Sequence, residues 1–187
     1  YQHGNDSGWD NSTTFDNDRV IESPDLAGLL LVQLDVLIAL TDELGLKGAA
    51  NWRTQRDGVV AALLEDLWNG ETFEARSATG GWVSKTGSLL NLLPIVAGRA
   101  LPAEVTQRLA VDIERHLTEF GPATQLVDSI EYEADGYWRG PIWAPSTILI
   151  EDGLRVRGYT DLAYEVSKRF RLLCEASGFA ENFDALS

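Results

Sequence analysis

Gly28-Leu29-Leu30-Leu31-Val32-Gln33-Leu34-Asp35-Val36-Leu37-Ile38-Ala39-Leu40 is the stretch that decides the fold, because it is apolar on nearly every side of a helix. Ser23 supplies an N-cap and Pro24 the first helical residue, while Gly45 ends the helix. A helix that is apolar all round is usually buried on most of its sides. The stretch therefore predicts a largely buried helix that runs to about Leu44.

The helices that follow alternate between two kinds. Ala49 to Trp68 is amphipathic, with its apolar residues on one stripe. The same alternation occurs twice more along the chain, and in each case an apolar segment precedes an amphipathic one: Leu89 to Ala97 (with Pro94) and Ala103 to Leu117, then Ser146 to Val156 and Thr160 to Ala176. Three helical hairpins are therefore predicted, with an inner and an outer helix in each.

Inner helices that pack on both faces and outer helices that pack on one are typical of an αα-toroid. A simple four-helix bundle fits less well, because its helices would all be similarly amphipathic. The predicted fold class is all-α, and three hairpins would make about half of a six-hairpin barrel. Glu71 to Lys85 is predicted to be a short β-hairpin and Gly121 to Pro141 a long loop, which at that length is usually functional or disordered.

Size and charge exclude some classes of function. The 187 residues fit a single domain, and its ends, at Tyr1 and at Asp184 to Ser187, favour a fragment of a larger catalytic domain. A net charge of -14 would repel phosphate backbones, so nucleic acid is not an expected partner. Residues 28–40 are too short to span a membrane, and Gln33 and Asp35 interrupt them, so no membrane contact is expected. No signal peptide is visible, which leads us to expect a cytoplasmic protein; the oligomeric state is unknown.

Three loops concentrate the aromatic and charged residues: 3–12, 135–143 and 178–184. Each lies beside a predicted inner or outer helix end, and in an αα-barrel such loops gather over the central cavity. Trp9, Trp138 and Trp143 belong to these loops. Aromatic faces stack on sugar rings, and carboxylates, amides and arginine bind hydroxyls, so the loops favour a carbohydrate ligand. The alternative is that the tryptophans fill gaps in the core.

Glycoside hydrolysis needs two carboxyl groups, of which one protonates the leaving oxygen and the other activates water or attacks the sugar. Asp10 and Glu181 are the natural pair, because both lie in aromatic loops that contain glycine. Four other carboxylates compete with them, and composition alone does not choose among the six, because an exposed aspartate is more often a turn residue. The competitors are Asp6, Asp16, Asp135 and Asp184.

Three motifs resemble signatures of one group of glycoside hydrolases. Gly8-Trp9-Asp10-Asn11-Ser12 is similar to the first, Gly136-Tyr137-Trp138-Arg139-Gly140-Pro141-Ile142-Trp143 to the second, and Glu181-Asn182-Phe183-Asp184 to the third. The group comprises processing α-glucosidase (family 63) and mannosylglycerate hydrolase-like enzymes, with trehalase more distant. In several of these relatives a glutamate stands where this chain has Asp6, and this departure concerns the specificity for the leaving group or the sugar.

The resemblance implies an (α/α)6 barrel, here a partial one, and hydrolysis of an α-glycosidic bond with inversion. The implied substrate is a small glycoside or oligosaccharide of the α-glucoside, α-mannoside or glycosylglycerate type. It also implies that Asp10 is the general acid and Glu181 the general base. The residues implied to bind substrate are Gly8, Trp9, Asn11, Tyr137, Trp138, Arg139 and Trp143.

Two other functions stay open. A sugar isomerase or epimerase on the same barrel would use paired histidines, and this chain has only His3 and His116, of which His116 near a helix end is interpreted as structural. A catalytically inert carbohydrate-binding fragment is the other. No cofactor or metal is expected; a calcium ion held by the acidic runs 10–12 and 16–18 is a minor alternative, although their spacing does not fit an EF-hand.

Overall fold

Helices account for most of the regular structure in this computed structural model, which describes residues 1–17, 20–80, 83–84 and 86–187. A nine-residue 3-10 helix at Leu89–Ala97, here called the central helix, lies among longer α-helices. The α-helices are α1 (Pro24–Glu43), α2 (Ala49–Asp66), α3 (Ala103–His116), α4 (Ala144–Arg157) and α5 (Thr160–Ser177). These bounds agree with the predicted segments to within two residues at nearly every end.

The helices form two layers. In the inner layer, α1 and α4 pack on the two sides of the central helix, and in the outer layer α2 lies against α1, α3 against the central helix and α5 against α4. The outer helix α3 buries one stripe, formed by Val105, Leu109 and Ile113. The prediction of three hairpins arranged as part of an α/α barrel is therefore confirmed.

The central helix is buried along almost its whole length, and glycines let its neighbours approach it closely. A Cβ at Gly28 of α1 would lie 3.0 Å from the Cα of Pro94, and one at Gly153 of α4 would lie 2.7 Å from the carbonyl carbon of Ile95. Pro94 has no N–H to donate and crowds the preceding turn of an α-helix. The segment predicted as an inner helix therefore adopts the tighter 3-10 form.

The prediction that the apolar helices are buried on most sides is wrong for α1 and α4. The outward side of α1 carries apolar side chains that are 37–51% exposed, and Ile148 of α4 is 61% exposed. These two helices stand at the edges of the inner layer, so each has a neighbouring inner helix on one side only. Along α1 the exposed residues are Leu26, Leu29, Leu30, Val32, Val36 and Leu40.

Helix α1 is also longer than its apolar stretch. Its 20 residues have a mean hydropathy of 1.7 in the most apolar window, which is enough to cross a membrane by length and composition alone. The length estimate made from residues 28–40 was therefore too short. A core helix of a soluble protein passes the same test, and α1 packs along both the central helix and α2.

Two small sheets complete the fold. β2 (Ala75–Ser77) and β3 (Val83–Ser84) form the predicted hairpin, of which Gly81, Trp82 and Lys85 lie outside the described residues, and β1 (Ile21–Glu22) adds an unpredicted third strand beside β2. β4 (Ile142–Trp143) and β5 (Asn182–Phe183) pair antiparallel, with Trp143 opposite Asn182. This second sheet joins the second sequence motif to the third. The predicted long loop before β4 contains turns and isolated bridges but no helix.

Candidate active site

The loop around Asp10, residues 4–12, is called the acid loop here, and Gly4, Trp9 and Ser12 are its buried residues. Trp9 is buried, Asp10 is half-buried, and Gly8 precedes them with a φ of +77°, a conformation that favours glycine. A Cβ at Gly4 would lie 1.9 Å from the carbonyl oxygen of Asp10, so the backbone of Gly4 lies directly against that of Asp10. At its far end the loop is fixed by the buried Ser12, whose Oγ lies 3.0 Å from Oγ of Ser88.

Asn11 connects the acid loop to the second motif. Its Nδ2 donates to the carbonyl oxygen of Gly136 (2.9 Å), and its Oδ1 accepts from the backbone N–H of Trp138 (3.0 Å). Arg139 adds a third link, because its Nε donates to the carbonyl oxygen of Asn11 (2.8 Å). The guanidinium of Arg139 also forms a bidentate ion pair with Asp16. Arg139 thus binds the acid loop itself, and its predicted contact with substrate stays a prediction.

The aromatic side chains of the first two motifs form one stack. The rings of Trp138 and Trp143 are stacked, with 4.2 Å between centroids and 9° between planes, and Trp9 lies 4.4 Å from Trp138. Tyr137 contacts Trp143 edge-on, at 4.7 Å and 85°. The three indoles are buried and belong to the main hydrophobic core, while Tyr137 is 36% exposed. The core-filling alternative therefore holds for these tryptophans, and their predicted sugar contacts stay predictions.

Glu181 lies in a far more open place than Asp10. Residues 178–183, called the base segment, leave α5 at Gly178, and every residue from Gly178 to Glu181 is exposed. The segment is held where β5 pairs with β4 and where the buried Phe183 packs against Phe170. Oη of Tyr137 donates to Oε1 of Glu181 at 3.2 Å. This bond links the third motif to the second through side chains as well as backbone.

The phenol of Tyr137 is affected by both predicted catalytic carboxylates. Partial burial of its ring, the hydrogen bond to Glu181, and the negative charges of Glu181 and Asp10 together raise the pKa of its phenol. The hydroxyl therefore stays protonated at neutral pH and acts as a donor. Tyr137 bonds to Glu181, and Asn11, which follows Asp10, bonds to both chain neighbours of Tyr137, so the three predicted loops lie together.

Most of the competing carboxylates have other partners. Asp6 accepts from the backbone N–H groups of Gln2 and His3, and Asp184 accepts from the backbone N–H of Leu186. Asp16 pairs with Arg139, as described above. These three carboxylates fix local backbone or position an arginine, whereas Asp135 is exposed on a turn.

His116 has no access to the candidate site. It is buried at the end of α3, where its Nδ1 donates to the carbonyl oxygen of Ala123 (2.9 Å). Burial lowers the pKa of His116 to about 4, so at neutral pH it is uncharged. It is structural, as predicted, but as a neutral hydrogen-bond donor and not as a cation at a helix end. His3 lies exposed directly before the acid loop, so the two histidines do not form the pair that an isomerase would use.

The described residues hold no group of three or more His, Cys, Asp or Glu side chains that fits a metal ion. Asp16, one of the residues of the calcium alternative, is occupied by Arg139, and Asp18 lies outside the described residues. The expectation that no cofactor is bound stays a prediction.

Sequence reasoning missed the buried residues that hold Thr13, directly after the acid loop, against the long loop before β4. Oγ1 of Thr13 donates to Oε1 of Gln125 (3.0 Å), and both residues are buried. Gln125 belongs to the long loop before β4, 112 residues further along the chain. Gly4 was missed as well, although a glycine five residues before Trp9 was visible in the sequence.

One protein family matches this chain along its whole length, and individual relatives match parts of it. The family described as "Mannosylglycerate hydrolase MGH1-like glycoside hydrolase domain" matches residues 1–187. Mannosylglycerate hydrolase MGH1 of Selaginella moellendorffii is 28% identical over 151 residues, which cover 80% of this chain and 30% of that protein. Mannosylglycerate hydrolase of Thermus thermophilus is 28% identical over 131 residues, or 66% of this chain and 31% of that protein. The match thus spans about a third of these relatives.

Solved structures show the same architecture. The structure of GH63 mannosylglycerate hydrolase from Thermus thermophilus in complex with glucose has a TM-score of 0.79 at 21% identity, covering 98% of this chain and 45% of that one. Neutral trehalase Nth1 from Saccharomyces cerevisiae has a TM-score of 0.79 at 17% identity, covering 95% and 37%. At these identities the likeness shows the fold, which is part of an α/α barrel.

Proposed function

The chain belongs to the mannosylglycerate hydrolase MGH1-like glycoside hydrolase family, and from that premise we propose that it carries the catalytic carboxylates of an inverting α-glycosidase. Asp10 is the general acid and Glu181 the general base. The observation that carries the proposal is that Tyr137 donates a hydrogen bond to Glu181 while Asn11, which follows Asp10, bonds to both chain neighbours of Tyr137. The substrate is a small α-linked glycoside of the glucoside, mannoside or glycosylglycerate type.

The reaction needs one group that donates a proton and one group that accepts a proton. Glu181 takes a proton from water as the water oxygen bonds to the anomeric carbon on the face opposite the leaving group. The bond to the leaving oxygen breaks, and Asp10 gives that oxygen its proton. Inverting enzymes keep the two carboxyl groups roughly 6.5–9.5 Å apart to admit the water. The exposed position of Glu181 suits the role of base, because the water that it activates can reach it.

We also propose that these 187 residues form one part of a larger catalytic domain. The chain aligns over 98% of its length with 45% of the glucose-bound structure. The exposed apolar side of α1 supports the same idea, since an inner helix of a complete barrel has inner neighbours on both sides. Glycoside cleavage should therefore be assayed with the 187-residue chain beside the full-length parent protein. An active parent and an inactive 187-residue chain are the expected result, and equal activity in both would overturn the proposal.

The decisive test of the catalytic assignment uses isosteric substitutions in the full-length parent protein. Asp10→Asn and Glu181→Gln should each lower kcat by about 100- to 10,000-fold, because each removes one proton-transfer group. Glu175→Gln is a matched control, since Glu175 is an exposed glutamate on α5 that pairs with Arg171. Undiminished turnover by Glu181→Gln would refute the assignment.

The substrate and the stereochemistry need separate measurements. A panel of α-glucosides, α-mannosides, trehalose and glycosylglycerates should give one clearly preferred class. Proton NMR of the first product should show the β-anomer if the reaction inverts, and the α-anomer would contradict inversion. A cytoplasmic location stays a prediction, which fractionation of the source cells would test.

A further inference from the structure

We propose that Asn11 and Tyr137 form a positioning relay, in which Asn11 fixes the backbone of Tyr137 and the hydroxyl of Tyr137 orients the carboxylate of Glu181. The inference rests on the proposed function, because it assigns Glu181 the role of base. It differs from the sequence prediction, in which both residues bind substrate. The relay would connect the acid loop, which carries Asp10, to the base itself.

The first step of the relay is the side chain of Asn11. Its amide brackets Tyr137, because it donates to the carbonyl of the residue before and accepts from the N–H of the residue after. A planar carboxamide that makes both bonds fixes the position and the rotation of the intervening residue. Asn11 directly follows Asp10, so a shift of the acid loop is passed to Tyr137.

The second step is the backbone of Tyr137. Its φ is +61°, and it is the one non-glycine residue with a positive φ among those that the structure describes. A bulky residue in this region is unfavourable and persists only where its surroundings hold it. Nε1 of Trp143 donates to the carbonyl oxygen of Tyr137 at 2.8 Å, and the Trp143 ring packs against the tyrosine edge. The amide of Asn11 and the indole of Trp143 therefore impose an unfavourable backbone conformation.

The third step is the hydroxyl of Tyr137. It donates to Oε1 of Glu181. Among the described residues, no other hydrogen bond to that carboxylate is present. The raised pKa of Tyr137 keeps the phenol protonated, so it remains a donor. Oε2 is then left to accept a proton from water. In this way the exposed side chain of Glu181 acquires one preferred orientation on the otherwise open base segment.

A sugar-contacting role and a purely structural role predict different results. Loss of a sugar contact would raise KM, and loss of packing would lower thermal stability. Loss of base orientation would lower kcat while KM and Tm stay nearly constant. The phenol is 36% exposed and makes no other side-chain hydrogen bond in the described residues, so removal of its oxygen leaves the core intact.

The experiment compares Tyr137→Phe with Tyr164→Phe in the full-length parent protein. Tyr164 is an exposed tyrosine on α5 and serves as the matched control. We expect Tyr137→Phe to lower kcat by about 10- to 100-fold, as a misplaced catalytic group does, with KM changed less than about twofold. The control should leave both constants unchanged. A change in KM alone, or no change in kcat, would overturn the relay.

Glycosyl fluorides separate the base from the acid. Fluoride leaves without protonation, so Asp10→Asn should retain most of its activity on an α-glycosyl fluoride, whereas Tyr137→Phe should lose the same factor on the fluoride as on an O-glycoside. If Tyr137→Phe lost activity on the O-glycoside alone, the assignment of Tyr137 to the base would be contradicted.

Asn11 is tested through its coupling to Tyr137. Asn11→Ala should lower kcat, and adding Tyr137→Phe to it should lower kcat little further, because both changes break one relay. Multiplicative losses would show that Asn11 acts independently and would overturn the first step. If Glu181→Gln retains activity, the proposed function itself fails. If Glu181→Gln is inactive and Tyr137→Phe is unaffected, only the relay fails.

Discussion

The acid loop and the base segment meet at the same tyrosine, yet they are held by different means. The acid loop is fixed by packing: Gly4 lies against the carbonyl of Asp10, Trp9 is buried, and Ser12 contacts Ser88 in the interior. The base segment is exposed from Gly178 to Glu181, and Phe179 is 98% exposed. Its position depends on the short β4–β5 pairing and on Tyr137.

Because of this difference, substitutions in the acid loop and in the base segment should differ in their effects on stability and on activity. A change in a packed loop disturbs many neighbours at once, so substitutions in the acid loop should lower both stability and activity. A change in an exposed segment held by a few hydrogen bonds should affect activity with little effect on the free energy of unfolding. If Asp10 is the acid and Glu181 the base, packing positions the acid and the proposed relay positions the base.

The largest effect is expected for Gly4→Ala. A Cβ there would lie 1.9 Å from the carbonyl oxygen and 2.7 Å from the carbonyl carbon of Asp10, so the Asp10 backbone must move. We expect kcat to fall by about 100-fold or more, because a shift of about 1 Å misplaces a catalytic group. The free energy of unfolding should fall by about 1–3 kcal/mol, as in other overpacked sites.

Gly58→Ala is the matched control for that substitution. Gly58 lies within α2, and a Cβ there would meet no atom within 4 Å. Its replacement should leave activity unchanged and raise stability by about 0.5–1 kcal/mol, because alanine favours the helix. Kinetics and urea unfolding of both variants test the pair. A fully active Gly4→Ala protein would break the claim that packing positions the acid.

Low pH is expected to change stability alone, through His116, whose acceptor Ala123 lies two residues before Gln125. The pKa of His116 is about 4 in the folded chain and about 6.5 in the unfolded one, so between these values the unfolded state binds more protons. The stability that His116 contributes is therefore present above pH 6.5 and is lost as the pH falls towards 4. The loss amounts to about 3 kcal/mol.

Urea unfolding of the native protein and of His116→Asn between pH 4 and 7 measures this loss. Asparagine can still donate to Ala123 but does not titrate in this range, so the variant should lose about 3 kcal/mol less on acidification. Parallel curves for the two proteins would show that His116 does not couple stability to pH. Hydrogen exchange should locate the early opening near Ala123 and not in the base segment.

The smallest effect is expected for Phe179→Ala in the 187-residue chain. With 98% of its surface exposed, the side chain contributes almost nothing to burial, so the free energy of unfolding should change by less than about 0.5 kcal/mol. Phe73→Ala provides the contrast, since Phe73 is fully buried and its loss should cost about 3–5 kcal/mol. A large destabilisation by Phe179→Ala would show that the base segment is packed like the acid loop.

The helical architecture could be predicted because its signals are local. Apolar periodicity, Pro24 at a helix start and glycine after α1 give the bounds of the helices within a few residues. Burial was predicted less well. The apolar pattern of α1 is the same around the helix, but only one side has neighbours in this chain, and a pattern carries no information about which neighbours are present.

The sequence by itself determined the three hairpins and the three motif loops, because these depend on local periodicity and on residues adjacent in the chain. The resemblance of the motifs to a known group predicts Asp10 and Glu181 as the catalytic pair. Only the tertiary structure decided what the other motif residues do. Arg139 selects Asp16, 123 residues away, from several possible carboxylates, and Asn11 holds Tyr137 in a conformation that tyrosine does not favour. The physical reason is that a polar side chain finds its partner by distance and direction in space, which residue order does not encode.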